Sequence, residues 1–213
     1  MHHAIKQPGR GNTMPKLKVP YYPQSSEFSC GPACVLMVIK HFEPSRRIDR
    51  SLEYEVWRQC NMIGIPGADP YGLAVPLIDA GYEVQLITQR KHAINSSHWR
   101  RRRARRPFSR QQIELSLFGM RQNRARALRR RLKVSFKRPV VSDINRAISE
   151  GYLPIALVHM GVVHSLNIPH WVVVTGVDGE QVRFNDPYPP KGRRGIMLAH
   201  STFQKIIDDV VCV

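Results

Sequence analysis

Cys30 is followed at once by Gly31-Pro32 and then by ACVLMVIKHF, a stretch apolar nearly all round. Pro32 suits the first turn of a helix, while LKVPYYPQSSEFS (17–29) holds two prolines that keep it extended. A thiol placed where an extended segment becomes a buried helix meets unpaired backbone N–H groups and the positive end of the helix dipole. Both favour thiolate, the nucleophilic form. The competing reading makes Cys30 a small buried core residue, the ordinary fate of a cysteine. Position alone leaves the two even. Cys34, Cys60 and Cys212 lie inside apolar patterns and read as core.

A nucleophilic thiolate needs an imidazole, and the chain offers nine: His2, His3, His41, His92, His98, His159, His164, His170 and His200. Pattern separates one of them. His170 opens the strand-like HWVVVTGV, and Asp186 closes the next strand, QVRFND. An ideal two-residue turn at Asp178–Gly179 puts these two side chains on opposite faces, because side chains alternate along a strand. A three-residue loop of Val177, Asp178 and Gly179, with Gly179 left-handed in a bulge, shifts the register by one. Val174 then faces Val182, Val172 faces Phe184 and His170 faces Asp186. That pairing gathers the apolar residues of both strands on one face and leaves Gln181, Arg183 and Asn185 on the other. An Asp in reach fixes the ring tautomer and stabilises the imidazolium. Gln24, six residues before Cys30, is a candidate donor for the oxyanion of an acyl-transfer step, acting beside the Cys30 backbone N–H.

These residues have to be positioned by the rest of the chain. Helices are expected at about 31–41, 49–60, 71–80 and 110–132, and from Ser142 as N-cap to Gly151. The second carries Leu52, Val56 and Cys60 on one face. The fourth has Ile113, Leu117, Met120, Leu128 and Leu132 along a stripe, with Arg124, Arg126, Arg129, Arg130 and Arg131 opposite. Strands are expected at 82–87 and 153–160 and, in a β-rich last third, at HWVVVTGV and QVRFND on either side of a turn at Asp178–Gly179, with a short helix near 202–209 and a terminal VVCV. Helices first and strands later, in meander rather than βαβ order, give an α+β fold with helices on one side of an antiparallel sheet. Asp69 and Asp143 read as turn and helix-start residues, and Trp171 as a wall of the cleft. His159 and His164 match no zinc spacing and read as structural.

Taken together, Gln24, CGPACVLMVIKHF from Cys30, and HWVVVTGVDGEQVRFNDP from His170 resemble the bacteriocin-processing, double-glycine leader peptidases. These are papain-like cysteine peptidases usually fused to ABC exporters. The resemblance covers residues 17–88 and 142–190. It rests on VPYYPQ, the six-residue interval from Gln24 to Cys30 and the His-strand-DG-strand-DP ending. It implies a papain-like fold in which an N-terminal buried helix carries the nucleophile Cys30 against the sheet. His170 is then the general base, Asp186 the orienting residue and Gln24 the oxyanion-hole donor. With no transmembrane or ATPase region, the chain resembles a stand-alone member acting on a peptide or protein substrate, with no metal or organic cofactor implied. The same triad also serves amide hydrolysis and acyl transfer, so the substrate and the final acceptor stay open.

Composition adds a second theme. At 42% apolar residues, 213 residues can bury a real core, and no apolar run nears the ~20 residues of a membrane span. The N-terminal MHHAIKQPGRGNTMPKLK lacks a signal-peptide core, so residues 1–13 are expected to be a disordered leader or cloning remnant, with Met14 a candidate start. Four cysteines without a CxxC pair point to a reducing, cytoplasmic protein. The net charge of +17 is local, since residues 89–138 hold 18 of the 33 Lys and Arg and one acid, Glu114. A single domain over 14–213 with an Arg-rich insertion at 89–138 is therefore expected, its residues 91–107 forming a basic loop. Three readings of the insertion stay open. It is a solvated surface, it steers an acidic peptide or partner toward the cleft, or it binds nucleic acid through phosphates with Trp99 as the aromatic of the basic run. An anionic membrane surface fits less well, because the 110–132 helix has only a modest apolar face. On the last readings the fold would serve as an inactive scaffold that binds an anionic partner.

Overall fold

Residues 17–90, 108–159, 161, 169–189 and 192–213 are described by a computed structural model. Their elements run α1 (Cys30–Phe42), α2 (Arg50–Cys60), α3 (Pro70–Asp79), β1 (Gln85–Thr88), α4 (Arg110–Arg129), β2 (Lys133–Phe136), α5 (Val141–Ser149), β3 (Pro154–His159), β4 (Pro169–Val177), β5 (Gln181–Asn185), β6 (Ile196–Ala199), α6 (His200–Ile206) and β7 (Ile207–Cys212). The expected leader at 1–13, Met14, the basic loop 91–107 with Trp99, and His2, His3, His92, His98 and His164 lie outside the described residues. Among the described residues no helix is long and apolar enough to cross a membrane.

All seven strands join one sheet in the order β2-β1-β7-β3-β4-β5-β6. The architecture is α+β, as the sequence indicates, with two differences of detail. First, helices cover both faces. Alternation along the central strands sends Ile155, Leu157, Trp171, Val173 and Val211 into a core shared with α1, α2 and α3. It sends Ala156, Val158, Val172, Val174 and Val210 into a second core under α5 and α6. Strands buried on both faces read as continuous apolar runs, so the sequence does not say how many faces are covered. Second, β1 and β2 pair in parallel, Gln85 opposite Lys133 through Thr88 opposite Phe136, while the other neighbouring strands run antiparallel. Parallel neighbours need a crossover, and the segment that supplies it carries α4. One βαβ unit is thus built from the Arg-rich part of the chain.

Within α4 the buried positions are Ile113, Ser116, Gly119, Met120, Asn123 and Ala127, while Leu128 is exposed. Ile113, Met120 and Leu132 of the expected stripe are buried and Leu117 half-buried, but Leu128 gives way to small and polar residues because backbone, not side chain, meets this face. A Cβ on Gly119 would lie 2.7 Å from the Met62 carbonyl oxygen, and one on Gly64 would lie 2.1 Å from that of Gln112. Asn123 fastens the contact, donating to the carbonyls of Cys60 and Asn61 and, at 2.6 Å, to Asp69 Oδ2. Asp69 caps α3 through the N–H groups of Tyr71 and Gly72. Burial pushes its carboxyl up to about 6 against these hydrogen bonds. Asp143 also serves a helix start, but by accepting from Val140 N–H; α5 begins at Val141, and Ser142 is not its cap.

At Gly119 the added methyl meets backbone, which cannot swing aside. Gly119→Ala is therefore expected to lower stability by about 1–3 kcal/mol, read as a lower denaturant midpoint with unchanged slope. An unchanged midpoint would mean that α4 does not rest on the 61–65 loop.

Candidate active site

α1 begins at Cys30, and its approach is a tight turn. The Ser26 carbonyl accepts from the backbone N–H and the hydroxyl of Ser29, and the Ser29 hydroxyl accepts from Ser26 N–H. With Ser29 so engaged, its side chain makes no capping bond to the helix. The first N–H groups of α1 are left for whatever stands at the N-terminus, which is the thiol. Gly31 allows the helix to approach the sheet. A Cβ there would lie 3.0 to 3.2 Å from Leu73, Trp171 and Ala68. Trp171 is a core residue rather than a cleft wall, fully buried with its indole N–H donated to the Ala68 carbonyl at 3.0 Å.

His170 and Asp186 meet, as the sequence predicts, but through another register. Val177 pairs with Val182 and Gly176 with Arg183; the register then shifts, and Val174 pairs with Phe184 and Val173 with Asn185. The irregularity falls at Thr175 within β4, not at Gly179. The turn itself is closed by Asp178, whose carboxylate accepts from the N–H groups of Glu180 and Gln181. At the open end of the hairpin, His170 Nε2 lies 2.7 Å from Asp186 Oδ1. Asp186 is wholly buried and is itself fixed, Oδ1 accepting from Tyr188 N–H at 2.9 Å and its carbonyl from the Tyr21 hydroxyl at 3.1 Å. The Tyr188 ring stands edge-on to His170 at 5.9 Å. Tyr21 and Tyr188 are the supporting residues that the sequence reading missed; VPYYPQ and NDPY place each beside a recognised residue.

With Nε2 turned to Asp186, the other ring nitrogen of His170 is left for Cys30, and each of the two groups shifts the titration of the other. Burial alone pushes the Cys30 thiol up. The His170 charge, the His170 hydrogen bond and the backbone N–H groups of Trp171 and Gly31 outweigh it, and the net direction is down. Burial likewise pulls His170 down, but the Cys30 charge and the hydrogen bonds to Asp186 and Cys30 carry it above its ordinary value. Both directions favour a thiolate–imidazolium pair. The other three cysteines are free and buried, and burial raises each of them.

Gln24 belongs to the same end of the sheet, its backbone N–H donating to the Pro187 carbonyl at 2.9 Å. Its side-chain nitrogen donates to the Ser26 carbonyl at 2.7 Å, on the turn that leads into Cys30. One amide N–H is thereby used and a second remains; the amide oxygen is buried with no partner among the described residues. His159 makes a different contact. It bonds Asp208 at 3.0 Å, beside the Arg90 pairs to Asp208 and Asp209. Among the described residues no group of three or more His, Cys, Asp or Glu side chains could hold a metal ion.

The family model described as Peptidase_C39 like matches residues 19–204. No curated protein matches the chain. Among solved structures, the peptidase domain of Streptococcus ComA, a bi-functional ABC transporter involved in quorum sensing, is 15% identical. Its TM-score is 0.50, and the match covers 89% of this chain and 93% of that one. A double glycine motif protease from an AMS/PCAT transporter, solved with its leader peptide, is 12% identical at a TM-score of 0.48, over 92% and 91% of the two chains. The first of these likenesses places the chain in the same papain-like fold.

Because the thiolate depends on His170, iodoacetamide should alkylate Cys30 well below the ordinary thiol range of ~8.5, faster than Cys34, Cys60 or Cys212. In His170→Ala only the backbone N–H groups of Trp171 and Gly31 are left to oppose burial, and the Cys30 rate should rise at a distinctly higher pH than in the wild type. Mass spectrometry of each site across pH measures this, and superimposable profiles in the two proteins would break the pair.

Proposed function

The chain belongs to the Peptidase_C39-like family, and we propose that it is a cysteine peptidase cleaving a peptide, isopeptide or related amide bond. The observation that carries this reading is the buried relay from Cys30 through His170 to Asp186 at a helix N-terminus. The Cys30 thiolate attacks the carbonyl carbon, and the carbonyl electrons move onto oxygen. The second Gln24 N–H and the backbone N–H of Cys30 hold that oxyanion. The imidazolium of His170 then gives its proton to the leaving amine while Asp186 keeps the ring in place. Water, deprotonated by the now neutral His170, attacks the thioester and returns the free thiolate.

A peptide substrate follows from this chemistry and from the family. The net charge of +17 carried by residues 89–138 in the sequence supports acidic residues near the scissile bond. The reaction needs thiolate and imidazolium together, so kcat/KM should rise with pH through the depressed Cys30 pKa and fall through the raised His170 pKa.

A peptide library digested by the whole chain in ¹⁸O-water tests the reading. Cleavage with one heavy oxygen at each new C-terminus is expected, absent in Cys30→Ala. On the peptide found, Gln24→Ala should lower kcat by about 10²–10³. Cleavage that persists in Cys30→Ala, or its absence in wild type, would sink it. Products carrying an added amine in place of oxygen would make the enzyme an acyltransferase with the same residues.

A further inference from the structure

Helix α2 grips the chain on both sides of Gln24. Glu53, wholly buried, accepts from the Ser25 N–H at 2.8 Å, the Ser25 hydroxyl at 2.5 Å and the Tyr22 hydroxyl at 3.0 Å. One residue on, the Tyr54 hydroxyl shares a hydrogen bond with that of Ser26 at 2.5 Å. One turn further, the Trp57 ring packs on Phe28 at 5.0 Å. Burying a carboxylate is costly unless it is fully hydrogen-bonded. Here the three bonds come from neutral donors, all within the strip that holds Gln24. Packing alone would not require an acid. A carboxylate accepts from several donors at once, which is what fixing an extended strip, with its unpaired N–H and hydroxyl groups, demands.

We infer that Glu53 is a positioning residue for Gln24: by holding Tyr22 and Ser25 it sets the direction of the amide that receives the oxyanion. This rests on the peptidase reading, in which Gln24 is that donor. Glu53 is not among the groups that act on Cys30 or His170. Its loss should therefore leave the thiolate–imidazolium pair intact while weakening the oxyanion hole. The sequence contains the signal in hindsight, because Glu53, Val56 and Cys60 are the buried stripe of α2. An acid in a stripe of that spacing is a hydrogen-bonding group placed in the core.

Two probes separate the effects without knowledge of the natural substrate. Iodoacetamide alkylates the thiolate by displacing iodide from carbon, with no oxyanion. With p-nitrophenyl acetate, the thiolate attacks the ester carbonyl, an oxyanion forms, p-nitrophenolate leaves and a thioester remains. In Glu53→Ala the rate of Cys30 acetylation should fall roughly tenfold or more, within the 10²–10³ that loss of a whole oxyanion donor costs, with the alkylation rate unchanged. Glu53→Gln should recover most of that loss. Its amide oxygen still accepts from Ser25 N–H, and the two hydroxyls can turn to accept from its amide nitrogen. In a Gln24→Ala background, Glu53→Ala should cost nothing further. If Glu53→Ala does not fold, Tyr22→Phe and Ser25→Ala, which remove one bond each, should show the same split in smaller degree. Alkylation and acetylation falling together, both rates holding, or additive effects of Gln24→Ala and Glu53→Ala would overturn the inference. A wild-type Cys30 that alkylates no faster than Cys60 would instead overturn the peptidase reading itself, and this inference with it.

Discussion

The thiolate–imidazolium pair proposed for Cys30 and His170, both buried out of water, sets the terms for the rest of the structure. For Cys30 and for His170 alike, burial is the largest single influence and acts against the charged form. Only contact between the two, with Asp186 behind the ring and backbone N–H groups beside the sulfur, reverses it. A buried ion pair that is slightly misplaced is worse than none, because each partner then bears its desolvation cost alone. The fold must therefore hold a helix N-terminus, a strand end and the exit of a second strand together to within a hydrogen-bond length. A glycine at position 31, filling no space between the helix and Trp171, is part of that tolerance.

The sheet meets this demand by putting its support at the centre. The last strand, β7, lies between β1 and β3, so the end of the chain joins the sheet's two halves. β4, which carries His170, pairs with β3 and β5 and is packed on both faces, which leaves it little freedom to slide. The register shift at Thr175 then sets how far along β5 the His170 end reaches. Asp186 sits just beyond that strand, where Tyr188 and Tyr21 can bond it without competing for the ladder. Rigidity at the centre and irregularity at the end are parts of one arrangement.

Much of this was legible in the sequence, and the reasons are specific. Cys30 at a helix start and the His170–Asp186 hairpin are local patterns, decided within about twenty residues. The bulge was placed wrongly because Val172, Val173 and Val174 are all apolar, and a strand buried on both faces has no alternation to reveal a skipped residue. β2 and β6 escaped notice as four-residue strands with exposed positions, whose existence depends on partners far away in the chain. Leu128 looked like core and is exposed, because α4 meets its neighbour through Gly119 and Asn123, residues that a hydrophobicity pattern does not count. Glu53 was passed over for a related reason, since periodicity arguments seek apolar residues and it is an acid that occupies the stripe.

The arginines of α4 show that structural use and electrostatic use are not alternatives. Arg126 donates to the Gln59 carbonyl, Arg130 pairs with Asp79, Arg110 with Glu114, and Arg124 lies over the Tyr71 ring at 5.8 Å. Arg126, Arg129, Arg130 and Arg131 also crowd the C-terminal end of the helix, where cations complement the dipole. Those contacts explain why arginine is tolerated so densely in a helix that must pack. Yet a guanidinium that bonds a carbonyl or sits on a ring keeps its full charge; the described cations of 89–138 pair with the acids Asp79, Glu83, Glu114, Asp143, Asp208 and Asp209. The sequence charge of +17 over residues 89–138 is thus offset in part by acids from elsewhere in the chain. α4 reaches Asp69 through Asn123, and the carbonyl of the preceding residue, Ala68, holds Trp171 beside His170. The helix that carries five of the arginines of 89–138 is therefore tied through Asn123 and Asp69 to the loop whose Ala68 carbonyl holds Trp171.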